Sequence, residues 1–127
     1  MRRGWIVVAA LNGLAAVTAG AVAQHLWGDN AESARLAETA VRYELPHAAA
    51  LLALGALPAP SGKLARRLLA VAGGSLALGV TLFAGALYAL AAGAPPALAV
   101  IVPLGGSLMI LGWGLLLAYG VALAREP

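Results

Sequence analysis

The sequence predicts an all-α integral membrane protein, a four-helix bundle with both termini on the cytoplasmic side. Composition carries the first part of that prediction: 62% of the 127 residues are hydrophobic and another 16 are glycine. A soluble domain is only about 45–50% apolar with glycine already counted. Charged residues make up 10%, against about 25% in soluble domains, and they cluster between apolar runs. Those runs number four, and about 20 apolar residues suffice for each crossing.

The same figures exclude a soluble enzyme domain, a disordered chain and a nucleic-acid binder. The pI near 10 comes from a few lysines and arginines flanking apolar segments. Cysteine is absent, which removes disulfides, thiolate nucleophiles and cysteine-held metal or iron–sulfur centres.

The chain reads as one membrane domain, residues 1–127, with spans at about 4–27, 45–58, 68–92 and 97–124. The first run opens on Arg2-Arg3 and reaches Ala21-Val22-Ala23, a pattern shared with secretory signals. Its apolar stretch exceeds the usual 7–15 residues of a signal core, so an uncleaved first span is the preferred reading. Ala9, Gly13, Ala16, Gly20 and Ala23 recur at steps of three and four, placing small residues on one face where a neighbouring backbone can approach.

Residues 28–44 form the polar segment and predict a short amphipathic helix at the outer interface. Asp29-Asn30-Ala31-Glu32 resembles a capping box, and Glu32 with Arg35 and Glu38 with Arg42 fall at ion-pair spacing. The second span that follows is short of a hydrocarbon core of about 30 Å, unless the polar segment continues into it. Pro46 stands at this junction, either opening a new helix or lying inside a continuous one.

Ser61-Gly62-Lys63 and Arg66-Arg67 make a turn and a basic collar before the third span. Small residues line that span at Ala70, Gly74, Ala77, Thr81 and Gly85, and Gly93-Ala94-Pro95-Pro96 ends it. In the fourth span Pro103 predicts a kink, with Gly105 and Gly106 allowing close packing beyond it. Arg2, Arg3, Lys63, Arg66, Arg67 and Arg125 all fall on one side of a four-span topology. The positive-inside rule makes that side cytoplasmic.

Polar groups at membrane depth are the place to look for function. No charged residue falls in the middle of a predicted span, which weighs against a proton-coupled transporter. The candidate ligand cluster is His25, Tyr43, Glu44, His47 and Tyr88, at the outer ends of spans one to three. His25 and His47 are expected at similar depth and admit three readings. They bind haem, they bind a metal with Glu44 as a third ligand, or they are structural groups bonded to carbonyls, which is preferred. Glu44 and His47 form one Glu-x-x-His, half of what a di-iron bundle requires. Asn12 is expected to bond across helices. Gly13, Gly20, Gly74, Gly85, Pro103, Gly105 and Gly106 are the expected packing positions. No catalytic residue, metal or cofactor is predicted.

One further set of residues carries a resemblance. Gly20 to His25, Tyr43-Glu44-Leu45-Pro46-His47, Phe83 to Tyr88, Pro103 to Gly106 and Gly112-Trp113 resemble, in order and spacing, a domain-of-unknown-function family. It is the family of the bacterial inner-membrane protein YgdD and vertebrate transmembrane protein 256. Ala23 and Gln24 depart from its Gly-Ala-x-Gly-Ala-His run, and Glu44 stands where it often has glutamine. The resemblance implies a four-helix protein of the bacterial cytoplasmic membrane with no assigned reaction, and it marks His25, Tyr43, His47 and Tyr88.

Three functions follow as expectations. The first is a non-enzymatic accessory, structural or assembly subunit, embedded in the lipid bilayer and packing against a larger membrane complex or itself. The second is a redox protein built on His25 and His47. The third is a small lipid or solute carrier with an outer-leaflet cavity among the first three spans.

Overall fold

The structure, a computed structural model, describes residues 2–125, and the side chain of Arg2 lies outside the described residues. Four helices run α1 Arg2–Trp27, α2 Ala31–Ala56, α3 Lys63–Ala91 and α4 Ile101–Leu123, the last preceded by a 3-10 turn over Pro96–Val100. Strand is absent among the described residues. Three segments are long and apolar enough to cross a membrane: Arg3–Trp27, Lys63–Ala91 and Pro96–Leu123. The helix α2 falls outside that class because its first half carries Glu32, Arg35, Glu38 and Arg42, and Glu44 follows.

The helix ends follow local chemistry. Asn30, rather than Asp29, caps α2: its Oδ1 accepts from the Ser33 amide at 3.1 Å. Glu32 therefore does not close a capping box. It pairs instead with Arg35 at 2.8 Å, which holds its exposed carboxyl below the usual range by hydrogen bond and charge. Glu38 and Arg42 form no such pair, since Glu32–Arg35 is the one ion pair among the described residues. At the end of α3, Gly93 adopts φ +93° and its amide bonds to the Leu90 carbonyl, while that of Ala94 reaches Ala89. This Schellman-type stop needs a left-handed residue, which glycine supplies without a Cβ clash.

A separate interfacial helix does not form. Residues 31–56 are one helix of 26 residues with Pro46 inside it, about 39 Å long at about 1.5 Å per residue. Pro46 cannot donate to the Arg42 carbonyl. The buried face nonetheless runs through it without a break, from Ala37 and Ala40 to Glu44, His47, Ala48, Leu51 and Leu54. Pro46 itself points outward, exposed. Burial on both sides of the proline outweighs one missing backbone bond.

The helices form an open arrangement rather than a closed four-helix bundle. Helix α1 runs antiparallel along α2, which lies on α3, and α3 carries α4; no backbone contact joins α4 to α1 or α2. Ala9, Ala16 and Ala23 of the expected α1 stripe are buried, with Gly13 facing the Ala48 methyl and Gly20 facing Val41. Between α1 and α3 contact is sparse. The Trp5 ring rests over Gly73 near one end, and Asn12 reaches Thr81 further along.

Helix α4 is held by a narrow stripe of Gly105, Met109 and Gly112. A Cβ at Gly105 would lie 2.6 Å from the Phe83 amide nitrogen, one at Gly79 would lie 2.8 Å from the Gly105 carbonyl oxygen, and one at Gly112 would lie 2.6 Å from Leu76 Cγ. Of the expected packing glycines, Gly105 is therefore tight and Gly106 lies only in ordinary contact with the Phe83 ring. Gly74 and Gly85 have nothing within 4 Å of a Cβ, because their face of α3 opens onto the gap left by α1. Gly73, Gly79 and Gly112 do that work instead. Pro103 falls in the first turn of α4, where a missing amide proton matters least, so it starts a helix instead of kinking one. Among large side chains, Leu51, Leu76 and Val80 are fully buried.

Candidate functional site

The continuity of α2 changes the position of Glu44. In the register in which Gly13 meets Ala48 and Gly20 meets Val41, Glu44 lies beside Val17, well within the apolar length of α1. Glu44 thus packs beside the apolar middle of α1, whereas the sequence reading put it at the outer end of the second span. Glu44 shares one helix face with Ala40, His47 and Leu51, and that face is the one α2 buries against its neighbours.

Glu44 is 3% exposed. The Tyr88 hydroxyl, from α3, donates to Glu44 Oε2 at 2.5 Å, within the 2.5–2.7 Å typical of an O–H bond to a carboxylate. Above this pair, α1 contributes Asn12, 6% exposed. The Asn12 amide nitrogen donates to its own helix at Val8 O, 2.9 Å, and across the gap to Thr81 Oγ1, 3.3 Å. The expected cross-helix bond of Asn12 is thus present.

These four residues line a cleft of about 220 Å³ together with Leu11, Ala15 and Gly85. It adjoins a groove of about 390 Å³ lined by Leu11, Leu14, Ala15, Thr18, Val22, Trp27 and Tyr88 among others. Leu11, Ala15 and Tyr88 line both. The cleft exists because α1 and α3 stand apart between their contacts, and Gly85 leaves its wall without a side chain.

The other predicted site residues do not join this group. His47 turns away from it toward α4. Its ring Nδ1 lies 2.6 Å from the Tyr43 carbonyl, which can only accept, so that nitrogen carries the proton. Its Nε2 accepts from Trp113 Nε1–H at 3.1 Å. One tautomer satisfies both ring nitrogens, so His47 is engaged at Nδ1 by the Tyr43 carbonyl and at Nε2 by Trp113. Tyr43 is half exposed and stacks edge-on against Phe83 at 5.1 Å.

His25 is exposed and lies beside Leu36 in the α1–α2 register, three helical turns from His47, or roughly 16 Å at about 1.5 Å per residue. The two histidines therefore do not face each other. Among the described residues no three His, Asp or Glu side chains gather as a metal set would. Tyr88, expected in the histidine layer, meets Glu44 instead.

Asn12 and Thr81 complete the site, and sequence reasoning had not assigned them to it. Their signal was present but ambiguous: a polar residue inside each of two apolar runs, with nothing to say that the runs would lie side by side.

Residues 19–106 match the family described as "Protein of unknown function (DUF423)". The chain belongs to this family. It is also 34% identical over 122 residues to a "UPF0382 membrane protein" of Haemophilus influenzae, a match covering 94% of this chain and 94% of that relative. A protein of the same description from Staphylococcus epidermidis is 34% identical over 111 residues, 86% of this chain and 88% of that one. No solved structure matches the sequence.

The family match bears out the resemblance read from the ordered motifs. Of the four polar side chains of the cleft, Glu44, Thr81 and Tyr88 fall inside the matched residues and Asn12 outside them. The protein is a member of a membrane-protein family with unassigned activity.

Proposed function

We propose that this is a non-enzymatic accessory protein of a bacterial cytoplasmic membrane, acting by holding an amphiphile in the cleft between α1 and α3. One observation carries the reading: a buried carboxyl–phenol pair lies at the base of a laterally open cleft and belongs to no complete catalytic set. The polar groups supply hydrogen bonds to a head group, and the adjoining apolar groove takes a chain. Binding sites in membrane proteins need this combination, since an intramembrane carboxyl left without a purpose is costly.

In this reading α2 is a fourth crossing. Support comes from its packing beside α1 and from its length of 26 residues, while the charged side chains of its first half extend to the outer interface. Four crossings put both termini on one side. Six of the eight lysines and arginines then share the cytoplasmic face.

The test is to purify the wild type and Gly85→Leu in mild detergent and compare the small molecules extracted from each by mass spectrometry. A Cβ at position 85 meets nothing within 4 Å, and the rest of a Leu side chain extends into the cleft that Gly85 lines. The expected result is an amphiphile retained by the wild type and lost from Gly85→Leu. Identical extracts would remove the reading.

A further inference from the structure

We propose that the cleft selects an amphiphile with a protonated amine head, the ammonium lying against Glu44 and Asn12. This rests on the reading of the cleft as a binding site and names its ligand class. The Tyr88 hydroxyl proton is committed to Glu44. Both amide hydrogens of Asn12 are committed, one to Val8 and one to Thr81, so what Asn12 presents to the cleft is its acceptor, Oδ1.

Glu44 has Tyr88 as its one hydrogen-bonding partner among the described residues, and no cationic side chain lies within ion-pair distance of it. Arg42, two residues away, is exposed on another face of α2. His47, one turn further, has both ring nitrogens engaged elsewhere. The cleft is therefore lined by acceptors around a carboxyl that lacks a counter-charge, with the Thr81 hydroxyl the one donor unspent.

An ammonium group supplies what is missing, a positive charge and three donors on a compact head. A neutral alcohol supplies one donor, and an anion meets the carboxyl with like charge. The volume of about 220 Å³ at the polar end takes the head, and the apolar groove beside Leu14, Val22 and Trp27 takes an alkyl chain. Free alkylamines and aminophospholipids share this chemistry.

The test is equilibrium binding of radiolabelled dodecylamine to the full-length protein in neutral maltoside micelles, with dodecanol as the uncharged competitor of equal chain length. We expect saturable binding, weak competition by dodecanol, loss in Gly85→Leu, and weakening of roughly thirtyfold or more in Glu44→Gln, the scale of removing one partner of a buried charge pair. Competition by short-chain phosphatidylethanolamine but not phosphatidylglycerol identifies the source as a bilayer lipid. Binding of dodecylamine without that competition identifies a free amine, and either result supports the assignment.

Equal competition by dodecanol, together with loss in Gly85→Leu, overturns the amine assignment and leaves the cleft as a binding site. Binding that is absent, or unchanged in Gly85→Leu, overturns both. The dodecanol arm uses wild-type protein and decides the matter even where Glu44→Gln does not fold.

Discussion

The hydroxyl of Tyr88 on α3 donates to Glu44 Oε2 on α2 at 2.5 Å, joining two helices through the one acidic side chain buried among the described residues. Tyr88→Phe keeps the ring and leaves the carboxyl without its donor. A buried acceptor left unsatisfied costs about 1–3 kcal/mol, more when charged, so Tyr88→Phe is expected to unfold at lower denaturant or temperature in detergent. Adding Glu44→Leu to Tyr88→Phe removes the orphaned group and should recover part of the loss. Equal stability of wild type and Tyr88→Phe would contradict the bond.

The α3–α4 contact depends on glycines that touch backbone. Gly105→Ala and Gly79→Ala would each place a methyl within 3 Å of main-chain atoms on the opposing helix, and the helices must separate to admit it. A loss of about 1–3 kcal/mol is expected, as for other overpacked interfaces. Gly74→Ala enters open space and should be neutral, or stabilising by up to about 1 kcal/mol through helix propensity. Thermal unfolding of the three variants side by side separates these outcomes.

The two histidines are expected to behave differently. His47→Ala breaks the bond from Trp113 and empties a buried position, with a stability loss of about 1–3 kcal/mol. His25 is exposed, so His25→Ala should stay within about 0.5 kcal/mol of wild type. Similar large losses at both positions would revive a shared ligand between them.

Topology can be mapped without background, because the chain contains no cysteine. With both termini cytoplasmic, Asp29→Cys reacts with a membrane-impermeant maleimide in intact cells, and Lys63→Cys reacts only after the membrane is opened. The reverse pattern would invert the orientation. Labelling of both from outside would show that α2 does not cross.

Much of the fold was legible in the residues. Four helices, the small-residue face of Ala9, Ala16 and Ala23, and the glycine stop at Gly93 follow from periodicity and local backbone chemistry. The candidate site was half legible. Glu44 and Tyr88 stood out as polar residues beside apolar runs, but their partners were misjudged, because matched depth was assigned with the second span starting at residue 45. Joining residues 31–56 into one helix moves Glu44 into the apolar layer and separates His47 from His25. The stripe of Gly74, Thr81 and Gly85 was read as an interface; Thr81 and Gly85 line a cleft instead, and Gly74 faces open space.

By itself the sequence determined the solvent this protein lives in and, α2 apart, the approximate ends of its helices. Those are set by apolar content, by charge placement and by contacts within a turn or two of chain. Only the tertiary structure decided which polar groups meet. A hydrogen bond between Glu44 and Tyr88, or Asn12 and Thr81, depends on the rotation and register of helices that are distant in the chain. A small residue leaves the same mark in the sequence whether a neighbour approaches it, as Phe83 does Gly105, or stands away, as α1 does from Gly85.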